Sequence, residues 1–183
     1  MLYYVVEEEM EKGGLMEVKI LVAFYSRTGN TRKVAEDIAR AFSEKSGDQV
    51  DLEEMKETKD RSGLSGYALA GRDAALKKPA ILKPLKFNST DYDLVLIGGP
   101  VWAWTICPAV RTYCANEGVN ATRLGFFCTM GGSGERRSFS EMESLCGKAP
   151  SAVLGLKEKN IRENSRDYLE SLDQFCSNLR ELT

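Results

Sequence analysis

Apolar and polar residues alternate along this chain in two distinct rhythms. Short, nearly unbroken apolar runs recur at Val18 to Tyr25, Asp93 to Gly98, Leu124 to Thr129 and Ala152 to Leu156. Runs of that length suit strands buried on both faces of a sheet. Between them lie stretches with apolar residues three and four apart. Val34, Ile38, Ala41 and Phe42 form one such stripe, and Leu169, Leu172, Phe175, Cys176 and Leu179 form another. These predict amphipathic helices over about 30–45 and 166–182. Gln49 to Met55 alternates apolar and charged residues, which predicts an edge strand. Pro108 sits where a helix over 109–116 would begin, and Gly118 where it would stop. Ser138 and Glu141 read as a capping box for a helix carrying Phe139, Met142, Leu145 and Cys146. Residues 56–92 are harder to read: a charged loop, a helix near Tyr67 to Lys77 with Tyr67, Ala70, Ala74 and Ala75 inward, then an irregular run past Pro79 and Pro84.

The predicted order is βαβ(α)βαβαβα. Alternation of this kind gives an α/β fold, a doubly wound parallel sheet with helices on both faces. Five strands fit the order 2-1-3-4-5, with ligands beyond the carboxyl ends of strands 1 and 3, where the winding reverses.

Residues 17–183 are expected to form one domain. Residues 1–16 are expected to be an extension, with Gly13-Gly14 as its hinge and Met16 as a candidate natural start. The extension runs from apolar to acidic, opposite to a signal peptide, and no apolar run approaches the roughly 18 residues of a membrane span. A net charge of −2 argues against a nucleic-acid partner held by bulk positive charge. The chain has no histidine, which excludes histidine bases, histidine metal ligands and Ser-His or Cys-His triads. Five scattered cysteines without a C-x-x-C spacing read as buried thiols in a reducing cytoplasm, not as a metal site.

Three loops carry the candidate chemistry. Ser26-Arg27-Thr28-Gly29-Asn30-Thr31 follows the first strand and opens a helix. Free amides, hydroxyls and a glycine at a helix start make an anion cradle. Neither nucleotide-binding glycine pattern is present there. Ser26-x5-Arg32 has the spacing of cysteine phosphatases but lacks the thiolate they need. Gly99-Pro100-Val101-Trp102-Ala103-Trp104 follows the third strand and offers two indoles on a turn held by Gly99 and Pro100. Thr129-Met130-Gly131-Gly132-Ser133 follows the fourth and offers bare backbone to a polar ring edge. Phosphate cradle, aromatic face and polar edge together describe a flat heteroaromatic mononucleotide.

Ser26-x-Thr28-Gly29-Asn30-Thr31 resembles the phosphate loop of the flavodoxin family. Gly98 to Trp104, with Pro108-Ala109-Val110-Arg111 behind it, is similar to the family's first isoalloxazine loop, and Thr129 to Ser133 to its second. The resemblance extends to Gly63-x-x-Gly66-Tyr67-x-x-Ala70-Gly71 and covers about 17–183. It implies non-covalent FMN. Ser26, Arg27, Thr28, Gly29, Asn30 and Thr31 would hold the phosphate. Pro100, Val101, Trp102, Ala103 and Trp104 would flank the ring. Thr129, Met130, Gly131, Gly132 and Ser133 would bind the pyrimidine edge. The function it implies is electron transfer between proteins, a reductase and an acceptor that the sequence does not identify. Two other readings stay open: an NAD(P)H-dependent oxidoreductase reducing a quinone or other small acceptor, and a non-redox flavin-binding module. Arg27, Arg32, Lys33, Arg136 and Arg137 in or near the loops depart from the acidic rim of carrier flavodoxins. Receiver domains of the same fold need acidic residues where Ser26 and Gly98 stand.

Overall fold

The computed structural model describes residues 18–58 and 71–181. Expectations for the extension, for Tyr67 and Ala70, and for most of the Gly63-to-Gly71 pattern fall outside them. Its strands are β1 (Lys19–Phe24), β2 (Gln49–Glu54), β3 (Leu94–Trp102), β4 (Thr105–Ile106), β5 (Leu124–Met130) and β6 (Ala152–Lys157). Its helices are α1 (Asn30–Ser46), α2 (Pro108–Asn116), α3 (Glu135–Cys146), α4 (Glu158–Arg162) and α5 (Arg166–Arg180). Residues 71–75 are also helical, and two short 3-10 turns cover Ser89–Asp91 and Gly118–Asn120.

The main sheet runs β2-β1-β3-β5-β6, all parallel. That is the expected 2-1-3-4-5 order. The addition is β4, which pairs antiparallel with the end of β3. Alternate residues of β1 face opposite cores, as period-2 geometry requires. Ile20, Val22 and Phe24 pack with Val34, Ile38 and Phe42 of α1 and Tyr168, Phe175 and Leu179 of α5. Leu21 and Ala23 pack on the other face with Val110, Tyr113 and Cys114 of α2 and Met142 and Cys146 of α3. Burying Leu21, Val22, Leu96 and Phe126 completely supplies roughly 1.5–3 kcal/mol per side chain. Gly125 and Gly98 let large neighbours cross the sheet face closely. A Cβ on Gly98 would lie 2.2 Å from the Phe127 ring.

Four local readings differ from the structure. Ser138 is not an N-cap: α3 begins at Glu135, three residues earlier, because Gly134 takes φ +122° and turns the chain into the helix there. Ser138 is instead fully buried, and its hydroxyl has no hydrogen-bond partner among the described residues. In α5 the inward residue of the first turn is Tyr168, and Leu169 is 48% exposed. The reason is the Ser165 cap, whose hydroxyl accepts the Tyr168 N–H and sets the helix phase. Ala75 faces solvent while Ala74 is buried. Lastly, Gly99 and Pro100 do not form a turn, because β3 continues through them to Trp102.

Candidate functional site

The carboxyl ends of β1, β3 and β5 lie side by side. Phe24 is in register with Gly98, and Pro100 with Thr129. The Tyr25 N–H donates to the Gly98 carbonyl at 3.0 Å, so the first loop leaves the sheet directly beside the second.

The first loop turns on Gly29, which sits in the left-handed region at φ +93° and is the N-cap of α1. It has no side-chain cap. The first intrahelical bond runs from Lys33 N–H to the Gly29 carbonyl. The Arg32 N–H is taken by Ser26 Oγ at 3.2 Å. The amides of Asn30 and Thr31 come before both, in the part of a helix that has no internal acceptor. Ser26 uses its oxygen as an acceptor, which leaves its proton to donate. Thr28 is exposed. The helix dipole adds partial positive charge at the same point. The nearby cations contribute less than their number suggests: Arg32 pairs with Glu54 at 2.5 Å and Lys33 with Asp37 at 2.6 Å. Arg27 is half-buried.

Thr31 and Thr129 were expected to serve different parts of a ligand. The structure ties them together, Oγ1 to Oγ1, at 2.8 Å, with the residues 2% and 1% exposed. One hydroxyl donates to the other. The Thr129 hydroxyl is thereby engaged with the first turn of α1, at the end of the first loop. Met130 is also buried, while Gly131, Gly132 and Ser133 are exposed. Nothing lies within 4 Å of a Cβ built on Gly131 or Gly132, so their backbone is approachable.

The second loop is a hairpin. Val101 pairs with Ile106 and Trp102 with Thr105. Its two-residue turn is Ala103-Trp104, with φ +49° and +59°. Both values belong to a turn that glycine and asparagine ordinarily fill, because its twist matches the flanking strands. The two indoles part company here. Trp102 is half-buried against Tyr25, with ring centroids 5.6 Å apart and planes at 88°. Trp104 is 67% exposed at the tip. The turn rests on Gly134, where a Cβ would lie 3.0 Å from Trp104 Cα and 2.7 Å from Val101 Cγ1.

Behind the hairpin is a buried cluster that the motif reading overlooked. Arg111 of α2 donates through Nε to Glu141 Oε1 at 3.0 Å. It also donates to the Ile106 carbonyl at 3.3 Å and the Lys78 carbonyl at 3.4 Å. Thr105 Oγ1 donates to Glu141 Oε2. Burial opposes ionisation of Glu141, but the hydrogen bonds from Thr105 and Arg111 and the charges of Arg111 and Lys77 outweigh it and hold the carboxyl below its ordinary value. The signal was present in sequence: Arg111 is a lone cation amid Ala109, Val110, Tyr113 and Cys114. Tyr25, read only as the end of the first apolar run, likewise has a part, since its ring meets Trp102.

Thiol chemistry does not belong to this region. Burial pushes the Cys128 thiol up to about 12, and the Glu135 carboxylate adds to the effect. Among the described residues no cluster of acids and cysteines could hold a metal ion. No helix among them is long and apolar enough to cross a membrane.

A family model for flavodoxin matches residues 19–172. None of the curated proteins compared with the chain matches it. Several solved structures share its fold. A flavoprotein from Lactobacillus acidophilus NCFM, solved in complex with FMN, is 22% identical, with a TM-score of 0.57, over 80% of this chain and 97% of that one. The flavodoxin of Streptococcus pneumonia TIGR4 is 14% identical, with a TM-score of 0.58, over 91% of this chain and all of its own (100%). The two-electron reduced flavodoxin of Megasphaera elsdenii is 14% identical, with a TM-score of 0.51, over 88% and 98%. At these identities the likeness to solved structures is one of fold.

Proposed function

The chain belongs to the flavodoxin family, and we propose that it binds FMN at the three loops and transfers electrons between proteins. The observation that carries this reading is the convergence of a donor-rich helix start, an exposed indole and open glycine backbone at one edge of the sheet. The donor set fits a phosphate monoester. Ser26 and Thr28 hydroxyls and the Asn30 and Thr31 amides would hold it, with Arg27 and Gly29 shaping the loop. Thr31 adds its own proton if Thr129 is the donor of their pair, which gives Thr129 an orienting part in place of a direct ring contact. Pro100 to Trp104 would border the ring, with Trp104 its more accessible indole. Gly131, Gly132 and Ser133 would offer backbone groups to the pyrimidine edge, and Met130, buried at the end of β5, would anchor the start of that loop. The flavin supplies the redox chemistry, and the protein supplies binding and the surrounding field.

Residues 17–183 form the FMN domain in this reading, and 1–16 an extension of it. The partners are a reductase and an acceptor, with no metal, nucleic acid or membrane required. A cytoplasmic setting suits the buried thiols Cys107, Cys114, Cys128, Cys146 and Cys176.

Flavin titration of the apoprotein tests the proposal. FMN should bind with strongly quenched fluorescence, and riboflavin far more weakly. Failure to bind FMN, or equal affinity for both, overturns it. A second reading draws on Arg136 and Arg137, exposed on the first turn of α3 beside the third loop. They are placed to attract a nicotinamide dinucleotide's phosphates. Steady-state NADPH oxidation by the holoprotein, with and without a quinone, separates that oxidoreductase from a carrier.

A further inference from the structure

The hairpin that carries Trp104 is poorly secured by its own chemistry. Strand β4 has two residues, and an isolated two-stranded hairpin is marginal in water. Its turn places Ala103 and Trp104 in the left-handed region without a glycine. Something outside the hairpin must hold that conformation. The buried cluster is in the right place. The Glu141 carboxylate receives Thr105 on one oxygen and Arg111 on the other. Arg111 also holds the Ile106 carbonyl and approaches Thr105 Oγ1 at 3.5 Å. Both residues of β4, which directly follows Trp104, are therefore gripped from two helices.

We propose that Arg111 and Glu141 are positioning residues that act through Thr105 to fix the Ala103-Trp104 turn, and so set how the indole meets the flavin ring. This rests on the FMN reading above. Neither charge touches the ligand in this scheme. Their ion pair lies under the hairpin with side chains 7% and 10% exposed, so its geometry is fixed and little screened. Gly134 completes the seat by letting the turn lie directly on the start of α3.

Thr105→Val removes the hydroxyl and keeps the branched shape, and Thr105→Ser keeps the hydroxyl. Two measurements apply. The first is affinity for FMN and for riboflavin. The second is iodide quenching of Trp104 emission in the apoprotein, in a Trp102→Phe background. Thr105→Val should weaken both flavins by the same factor, at least fivefold, because the ring end is disturbed and the phosphate end is not. It should also raise or lower Trp104 quenching by at least half, and Thr105→Ser should restore both. Glu141→Gln should reproduce the valine result, and it replaces that variant if Thr105→Val does not fold. A lower thermal midpoint with flavin affinity or Trp104 quenching at the wild-type value overturns the proposal, since the cluster would then be only structural. If the wild-type protein takes up no flavin, the FMN reading fails while the quenching result still decides the role of the cluster.

Discussion

Replacing Thr31 by valine separates its observed hydrogen bond to Thr129 from its proposed hold on the phosphate. Its hydroxyl is joined to that of Thr129 at 2.8 Å in a buried position. A hydroxyl has one proton to give. If Thr129 donates to Thr31, the Thr31 proton is left for a phosphate oxygen. A hydrogen bond to a charged group contributes about 1.5–3 kcal/mol, so Thr31→Val should weaken FMN binding about 10- to 150-fold. Riboflavin lacks the phosphate and should keep its affinity within about twofold. Thr129→Val leaves Thr31 in place but unoriented. It should lower FMN affinity less than tenfold and cost about 1–3 kcal/mol of stability, because a buried oxygen loses its partner. With both residues valine, no polar atom of the pair is stranded. The double variant should therefore be more stable than the sum of the single losses by about 1 kcal/mol. Fluorescence titrations with the two flavins, alongside urea unfolding of all four proteins, supply the numbers. Equal weakening of FMN and riboflavin by Thr31→Val would refute the phosphate assignment. Additive stability losses would refute the buried pair.

Two further outcomes follow from packing and charge. Gly98→Ala puts a methyl 2.2 Å from the Phe127 ring, inside a filled core, and should destabilise the protein by about 1–3 kcal/mol or more in chemical denaturation. Glu141 is held below its ordinary pKa, so its contribution is present above the unfolded value, near 4.3, and is lost as pH falls through the lower folded value; wild type should thus lose stability below about pH 4 more steeply than Glu141→Gln, and parallel pH–stability curves would contradict the pairing with Arg111 and Thr105.

The strands could be read in advance because burial on both faces leaves a simple mark. Ile20 to Phe24 and Leu94 to Ile97 are apolar at every position, and no turn chemistry interrupts them. The loops could be read because glycine and hydroxyl residues cluster after each of those runs. What escaped was anything decided by contact between distant segments. Strand β4 is only Thr105 and Ile106, too short for a periodic signal, and it exists because the hairpin folds back on β3. Ser138 and Glu141 match a capping box by spacing alone, but Gly134 starts the helix earlier, which buries Ser138 and leaves Glu141 to Thr105 and Arg111. Thr31 and Thr129 each looked like a ligand contact, and only the register of β3 and β5 beside β1 reveals that they meet. The indole pair looked equivalent until Tyr25 was seen to hold Trp102 alone.

The Thr31–Thr129 contact joins residues 98 positions apart. Closing so long a loop is entropically costly and is repaid only when β1, β3 and β5 have already paired. The anion cradle at α1 is local and can form with its helix. The complete pocket is not local, because it requires β1, β3 and β5 to be paired. A flavin that needs all three loops is expected to bind after the sheet has paired, not to nucleate it. It acts as a latch, drawing the equilibrium toward the finished fold by mass action. During refolding, quenching of the flavin should lag behind the recovery of helical signal, and the lag measures how long the assembled sheet waits before its last buried hydroxyls find each other.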